Sequence, residues 1–214
     1  MFRLKVCGVT RVEDLRACVE LRVDAVGFNL WPGSKRYLDL REAERLIADA
    51  QPGEGGPLRV GVFVDLDLPA IAEAIAVLDL DLIQAHGDGP LEPVAELAAG
   101  YDVGWIQVIR GTPKLATLRV PEPRPRWILL DAAVPGFGGA GQRTDWTWAA
   151  AAVQALAPTP VWLAGGIDPG NVEIALREVE PAGIDVASGA ELPGAQRGEK
   201  QREAIAALVQ ACRG

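Results

Sequence analysis

The stretch WILLDAAVPGFGGAGQRTDW, residues 127–146, decides the fold. It starts with a short apolar run, Trp127 to Leu130, of the kind a fully buried strand requires. The run ends on a carboxylate, Asp131, and passes into a loop with glycines at 136, 138, 139 and 141. A helical segment then begins near Asp145. Strand, acid, glycine-rich loop and helix is how a parallel α/β protein builds a site, because the carboxyl end of a buried strand opens into a crevice. Glycine lets such a loop approach a ligand closely. A surface loop after an edge strand is the plainer alternative.

The same alternation extends in both directions from this stretch. Strands are expected at 2–7, 24–30, 58–64, 81–86, 103–109, 127–131, 160–164 and 183–187. Helices are expected at 11–21, 41–50, 68–78, 90–99, 145–156, 168–177 and 198–212, with Thr10 as N-cap of the first. Proline-interrupted sequence at 112–125 reads as a weak fifth helix, making eight. Strict βα order predicts a parallel sheet with right-handed crossovers. Eight units of about 27 residues in a chain of 214 suit a small (βα)8 TIM barrel, a single domain over 1–214. An open doubly wound sheet is the alternative; against it, no GxGxxG follows the first strand and no linker divides the chain.

Composition narrows the function. With 49% apolar and 23% charged residues the chain reads as a folded soluble protein. A net charge of −8 argues against a nucleic-acid or anionic-membrane partner, so any anionic ligand needs locally placed cations. No apolar run approaches the length of a membrane span, and the N-terminus MFRLKVCG does not resemble a signal peptide. The three cysteines, Cys7, Cys18 and Cys212, show no paired spacing, and one histidine, His86, offers no metal cluster. A reduced, cytoplasmic setting without metal is expected.

In a barrel the strand ends converge on one mouth. They bring Cys7, the loop 29–36, Asp65, His86, the segment after Gln107, Asp131, Gly165 and Gly166, and Ser188 and Gly189. A thiol and a carboxylate from opposite parts of the ring supply a base and an acid, Cys7 and Asp131. A free thiol titrates near 8.5, so Cys7 needs local help to ionise. Arg36 has the fork to hold a carboxylate. AGG at 164–166 and ASGAE at 187–191 place small residues after strands seven and eight, where barrels bind phosphate through backbone N–H groups. Taken singly each feature has a structural reading: a core cysteine, a satisfied histidine, ordinary turns. Taken together they suggest a cofactor-free enzyme acting on a phosphorylated carboxylate.

Periodicity adds one expectation. Side chains alternate across a strand, so if Cys7 faces inward, Lys5 and Arg3 lie beneath it, and Asp185 faces inward from the neighbouring eighth strand. A buried lysine needs a partner. A Lys5–Asp185 ion pair is therefore expected just below the site, its lysine drawing Cys7 towards thiolate; the alternative is that one of the two points outward to a helix.

The segments KVCGVTR (5–11), GFNLWPGSKRY (27–37), VGVFVD (60–65), IQAHGD (83–88), LLDAAVPGFGGAGQRTDW (129–146), LAGGIDPGNV (163–172) and IDVASGAELPG (184–194) resemble, in order, the signature stretches of the phosphoribosylanthranilate isomerase family. The resemblance implies a (βα)8 barrel of tryptophan biosynthesis that performs an Amadori rearrangement without cofactor. It implies Cys7 as general base, Asp131 as general acid and Arg36 on the anthranilate carboxylate. It places Gln84, His86 and Gly139 at the mouth, and Gly165, Gly166, Ser188 and Gly189 in the phosphate turns. The chain departs from the family pattern at 29–31, Ala85, Thr144 and Ala187, the last removing a hydroxyl from the phosphate turn. Expected partners are a small phosphorylated substrate and at most a second copy of the chain, as monomer or homodimer. A sugar-phosphate isomerase of histidine biosynthesis would show twofold repetition and an acid in place of Cys7, and a barrel that merely binds phosphorylated ligands would not need the acid and base.

Overall fold

The computed structural model describes residues 3–53, 55–64, 67–87, 89–132, 143–194 and 198–214. Eight parallel strands close into a barrel in sequence order: β1 (Leu4–Cys7), β2 (Ala25–Asn29), β3 (Leu58–Phe63), β4 (Leu82–Ala85), β5 (Gly104–Arg110), β6 (Trp127–Asp131), β7 (Val161–Leu163) and β8 (Gly183–Val186). Closure comes from β8 pairing with β1, where Lys5 stands beside Asp185. Closing the sheet leaves no exposed edge, and the open-sheet alternative is excluded.

Seven α-helices surround the barrel: α1 (Val12–Glu20), α2 (Leu40–Ala50), α3 (Leu68–Leu78), α4 (Glu92–Gly100), α5 (Trp146–Ala155), α6 (Val172–Val179) and α7 (Arg202–Arg213). The expected fifth helix at 112–125 is not one. That connection holds a single 3-10 turn, Leu115–Thr117, because Pro113, Pro121, Pro123 and Pro125 remove amide donors that a helix would use. Its ends are anchored instead by the Trp105 Nε1 bond to the Pro123 carbonyl (3.0 Å) and the Gln107 Nε2 bond to the Arg119 carbonyl (3.1 Å). Thr10 does not cap α1; Arg11 occupies that position without a side-chain cap and pairs with Asp14. Asp145 does cap α5, accepting from the Trp148 amide at 3.0 Å. Among the described residues no helix is long and apolar enough to cross a membrane.

Period-two alternation splits the core in two. Ala25, Val60, Leu82, Ile106, Trp127, Leu129, Trp162 and Ala164 pack together inside the barrel. The opposite strand faces, with Leu4, Val6, Val26, Phe28, Ile83, Ile128, Leu130 and Ile184, join the helices in the larger outer core. The inner set is small because a barrel interior is filled by layers of a few side chains each. Within it Trp127 packs against Trp162, ring centroids 4.7 Å apart. Towards the carboxyl end the inward positions become polar: Lys5 and Cys7 on β1, Gln84 on β4, Asp131 on β6 and Asp185 on β8. Arg3, expected inward beneath Lys5, instead precedes the strand, is exposed, and reaches the Cys212 carbonyl of α7 at 3.4 Å.

Candidate active site

Cys7 ends β1 half-buried, with Lys5 one inward step below it. Lys5 Nζ donates to both carboxylate oxygens of Asp185, at 3.0 and 2.9 Å, so the expected ion pair is present and almost fully buried. Gly27 on β2 makes room for it: a Cβ there would lie 2.9 Å from Cys7 Sγ and 3.2 Å from Lys5 Cε. The lysine draws the thiol towards thiolate, as expected, but it does not set the balance. Burial pushes the Cys7 pKa up, and Asp185 adds to this; the Lys5 ammonium opposes both without overcoming them. Lys5 itself is held above its ordinary value, because Asp185 and the thiol outweigh its own burial.

Asp131 ends β6 with its side chain 14% exposed. One oxygen accepts from the next residue's amide, Ala132 N–H, at 2.8 Å, and the other lies 3.6 Å from His86 Nε2. Burial raises its pKa to about 6 although the Ala132 amide opposes the shift. Buried Gln84 on β4 approaches His86 Nδ1 through Nε2 at 3.4 Å, so Gln84, His86 and Asp131 form one connected row.

Arg36 sits in the loop after β2. That loop is tied back by a bridge between Asn29 and Tyr37 and by the Leu38 amide bonding the Asn29 carbonyl at 3.0 Å. The Arg36 side chain is buried, its Nε donating to Glu191 Oε1 at 2.5 Å.

The glycine turns after β7 and β8 also meet. Gly165 and Gly166 adopt φ of 84° and 65°, a region that glycine enters at little cost. Asn171 fixes the turn by donating from Nδ2 to the Gly166 carbonyl at 2.9 Å. Gly189 packs on the Ile167 backbone, one residue beyond Gly166, where a Cβ would collide with the carbonyl. Ser188 opens a 3-10 turn, Ser188–Ala190, whose first amides have no partner within the turn.

The structure thus brings Cys7 and Lys5 together, His86 and Gln84 with Asp131, and Gly165 and Gly166 with Ser188 and Gly189. The loop glycines at 136, 138, 139 and 141, Gly139 among them, and Asp65 lie outside the described residues. Two residues that bear on the site went unread in the sequence, Glu191 and Lys200, which surround Arg36. Glu191 was legible only as the acid closing the ASGAE segment, and Lys200 only as one of four lysines.

A closed barrel with a half-buried thiol and carboxyl at the carboxyl ends of its strands, and paired glycine turns after β7 and β8, defines a (βα)8-barrel protein with titratable groups at its mouth. Residues 4–211 match the family model described as N-(5'phosphoribosyl)anthranilate (PRA) isomerase. The N-(5'-phosphoribosyl)anthranilate isomerase of Myxococcus xanthus is 41% identical, covering 99% of this chain and 96% of its own length. The crystal structure of phosphoribosyl anthranilate isomerase from Thermotoga maritima superposes with a TM-score of 0.83 at 30% identity, covering 100% of both chains. A structure of the isomerase in complex with reduced 1-(o-carboxyphenylamino)-1-deoxyribulose 5-phosphate superposes at 0.79, with 28% identity and 100% coverage of both chains. The chain belongs to the N-(5'-phosphoribosyl)anthranilate isomerase family.

Proposed function

We propose that this barrel, one domain over residues 1–214, converts N-(5'-phosphoribosyl)anthranilate to 1-(2-carboxyphenylamino)-1-deoxyribulose 5-phosphate in tryptophan biosynthesis, with Asp131 as general acid and Cys7 as general base. The observation that carries the assignment is the pair of titratable groups at the ends of β6 and β1, with Asp131 raised to about 6. An ordinary carboxyl is almost wholly ionised at neutral pH; one near 6 keeps a useful protonated fraction.

The Asp131 proton goes to the ribose ring oxygen, and the C1'–O bond breaks as the anthranilate nitrogen's electron pair forms the Schiff base. Cys7, as thiolate, takes the C2' proton, and the C2'–H pair becomes the C1'=C2' bond of an enolamine, returning electrons to nitrogen. Tautomerisation, with a proton gained at C1' and one lost from the 2'-hydroxyl, gives the ketose. Only protons move and no electron leaves the substrate, so acid and base suffice. Arg36 holds the anthranilate carboxylate, and the amides of Gly165, Gly166, Ser188 and Gly189 hold the phosphate, supported by the meeting of those turns. Gln84 and His86 line the mouth beside Asp131. All residues named come from one chain, which suits a monomer or a dimer of complete sites, and the free thiols suit the cytoplasm.

The test is turnover of N-(5'-phosphoribosyl)anthranilate, followed by loss of its anthranilate fluorescence. Catalysed decay that is lost in Cys7→Ala and in Asp131→Asn is expected. An inactive wild-type protein, or one that isomerises only the histidine-pathway aminoaldose, would overturn the reading.

A further inference from the structure

Arg36 does not stand alone. Its stem runs against Gly8, the residue after Cys7, and against Gly198 from the loop before α7. A Cβ at Gly198 would lie 2.8 Å from Arg36 Cγ and 3.0 Å from Glu191 Oε1, so this position has no space for a side chain. Glu191 follows the Ser188–Ala190 turn and is 6% exposed. It accepts from Arg36 Nε, from Lys35 Nζ at 3.0 Å and from Lys200 Nζ at 3.3 Å.

Lys200 is the least expected member. Its side chain is fully buried, it bridges backbone to Glu191, and its amide donates to buried Asp14 at 3.0 Å. Its ammonium also donates to the carbonyl of Ala187, directly before Ser188, at 3.0 Å. The cluster thus joins the Arg36 loop to the base of the Ser188–Gly189 turn.

Two features of this cluster point to a ligand. First, Arg36 gives its Nε edge to Glu191 while its Nη2 is buried with no partner among the described residues. A buried guanidinium donor left unpaired is costly, and a carboxylate accepting it recovers that cost. Second, three cations surround one carboxylate. Burial pushes the Glu191 carboxyl up, but Arg36, Lys200 and Lys35 overcome it and hold the group at about 2, so it is ionised at neutral pH. Burial lowers the Lys200 pKa, and the three basic side chains have this one carboxylate to share. This is the local cation surplus that an acidic chain of net charge −8 needs to take a doubly anionic ligand.

We propose that Glu191 is a positioning residue: by holding Arg36 Nε, with Lys200 fixing Glu191 in turn, it aims the free guanidinium edge at the substrate's aromatic carboxylate and ties that clamp to the phosphate turn. This rests on the reading of Arg36 given above. Glu191 lies close to where an anion binds, so its charge alone opposes binding; its geometry favours it. Substitution separates the two effects.

The experiment measures binding of two ligands by calorimetry: the reduced product analogue 1-(2-carboxyphenylamino)-1-deoxyribitol 5-phosphate and its counterpart lacking the ring carboxylate. Glu191→Leu, which leaves Arg36 without an acceptor, should weaken the carboxylated ligand by about tenfold or more, the scale of one charge-assisted hydrogen bond, and the other by less than about twofold. Glu191→Gln, which keeps an acceptor oxygen and removes the charge, should recover most of that loss. In an Arg36→Met background Glu191→Leu should cause no further selective loss. Tighter binding in both Glu191 variants, equal loss of both ligands, or no change would overturn the proposal. If Glu191→Leu fails to give a cooperative melt, Gly198→Ala pushes on Arg36 from the other side and should show the same selectivity; an unselective Gly198→Ala overturns it. A wild-type protein unable to turn over the substrate would defeat the parent reading instead, whatever these ligands do.

Discussion

Replacing Lys5 by Met tests the ion pair inside the barrel. Lys5 and Asp185 are 1% and 6% exposed, and both carboxylate oxygens accept from one ammonium at 2.9–3.0 Å. Removing one partner of such a pair leaves a buried charge uncompensated and costs about 3–5 kcal/mol. For a domain of this size that is a fall in Tm of about 6–20 °C. The loss should depend on pH in a defined direction. In the variant the folded-state pKa of the abandoned carboxylate rises above its unfolded value of about 3.9. The penalty is then full above the raised value and fades as pH falls towards 3.9, so the variant should approach the wild type near pH 4. In the wild type the raised Lys5 pKa gives the opposite window: its contribution is present below the ordinary lysine value and is lost only as pH climbs through the higher folded one. Urea unfolding followed by the fluorescence of the six tryptophans, at pH 7.5 and pH 4.5 for the variant and in steps above about pH 10.4 for the wild type, reads both effects. The double variant Lys5→Met with Asp185→Leu should recover most of the loss, since apolar replacement of a buried pair is often neutral. A single variant within about 1 kcal/mol of wild type, or a double variant no better than the single, would refute the argument. The same substitution has a chemical readout, because Lys5 opposes the burial of the thiol. Cys7 is the partly exposed cysteine, while Cys18 and Cys212 are buried, so alkylation of the native protein reports Cys7; its pH profile should move to higher pH in Lys5→Met.

Four further outcomes are expected. Cys7→Ser and Asp131→Asn should each lower kcat by about 10²–10⁴-fold with the fold intact by circular dichroism. Asp131→Asn should also be more stable than wild type above pH 7, by about 3 kcal/mol in urea unfolding. The folded carboxyl is raised to about 6, so its ionisation costs stability above that pH, and the gain should vanish near pH 4. Arg36→Met should raise KM more than it lowers kcat in steady-state assays; an effect on kcat alone would assign Arg36 to the transition state instead. Gly189→Ala, whose Cβ collides with the Ile167 carbonyl, should part the two turns and weaken competitive inhibition by inorganic phosphate at least about tenfold.

What could be read in the sequence followed from periodicity. The run at 127–131 became β6 without shift, and the helix at 68–78 became α3, because an apolar strand or a well-spaced helix with proline in its first turn leaves little choice. Period two also placed Lys5 beside Asp185, a contact between residues 180 apart in sequence that required only closure of the ring. The misses lie where tertiary context decides. The 112–125 connection carries some helical residues, but its prolines prevail. Helix α6 begins at Val172 rather than 168, because Asp168 accepts from the Gly170 amide at 2.8 Å and Asn171 from the Asp168 amide at 3.0 Å, winding those residues into a turn. Glu191 and Lys200 belong to no periodic stretch, and the buried contact of Glu191 with Arg36 joins residues 155 apart in sequence, which no local pattern announces.

On the proposed assignment, the acid and the base sit in opposite relation to the order acid–base chemistry prefers. Asp131 must be protonated and titrates at about 6, while Cys7 must be a thiolate and titrates above the ordinary thiol value. The productive combination is therefore a minority form. Between the two pKa values its population does not change with pH: each unit of pH that strips protons from Asp131 adds the same factor of thiolate at Cys7. What sets its size is the gap between the two values, and every unit by which that gap narrows raises the productive fraction by about tenfold. Burial raises both values, which brings the Asp131 value closer to that of the thiol and moves the Cys7 value away from that of the carboxyl. Lys5 lowers both values, standing second among the causes at Cys7 and fourth at Asp131, so its ammonium narrows the gap from the thiol side, and only while charged. Asp185 raises the thiol by its own field, yet it is the partner that keeps a fully buried lysine charged at all. The ion pair thus spans the β1–β8 closure and, through the same ammonium, bears on how much thiolate the proposed base provides.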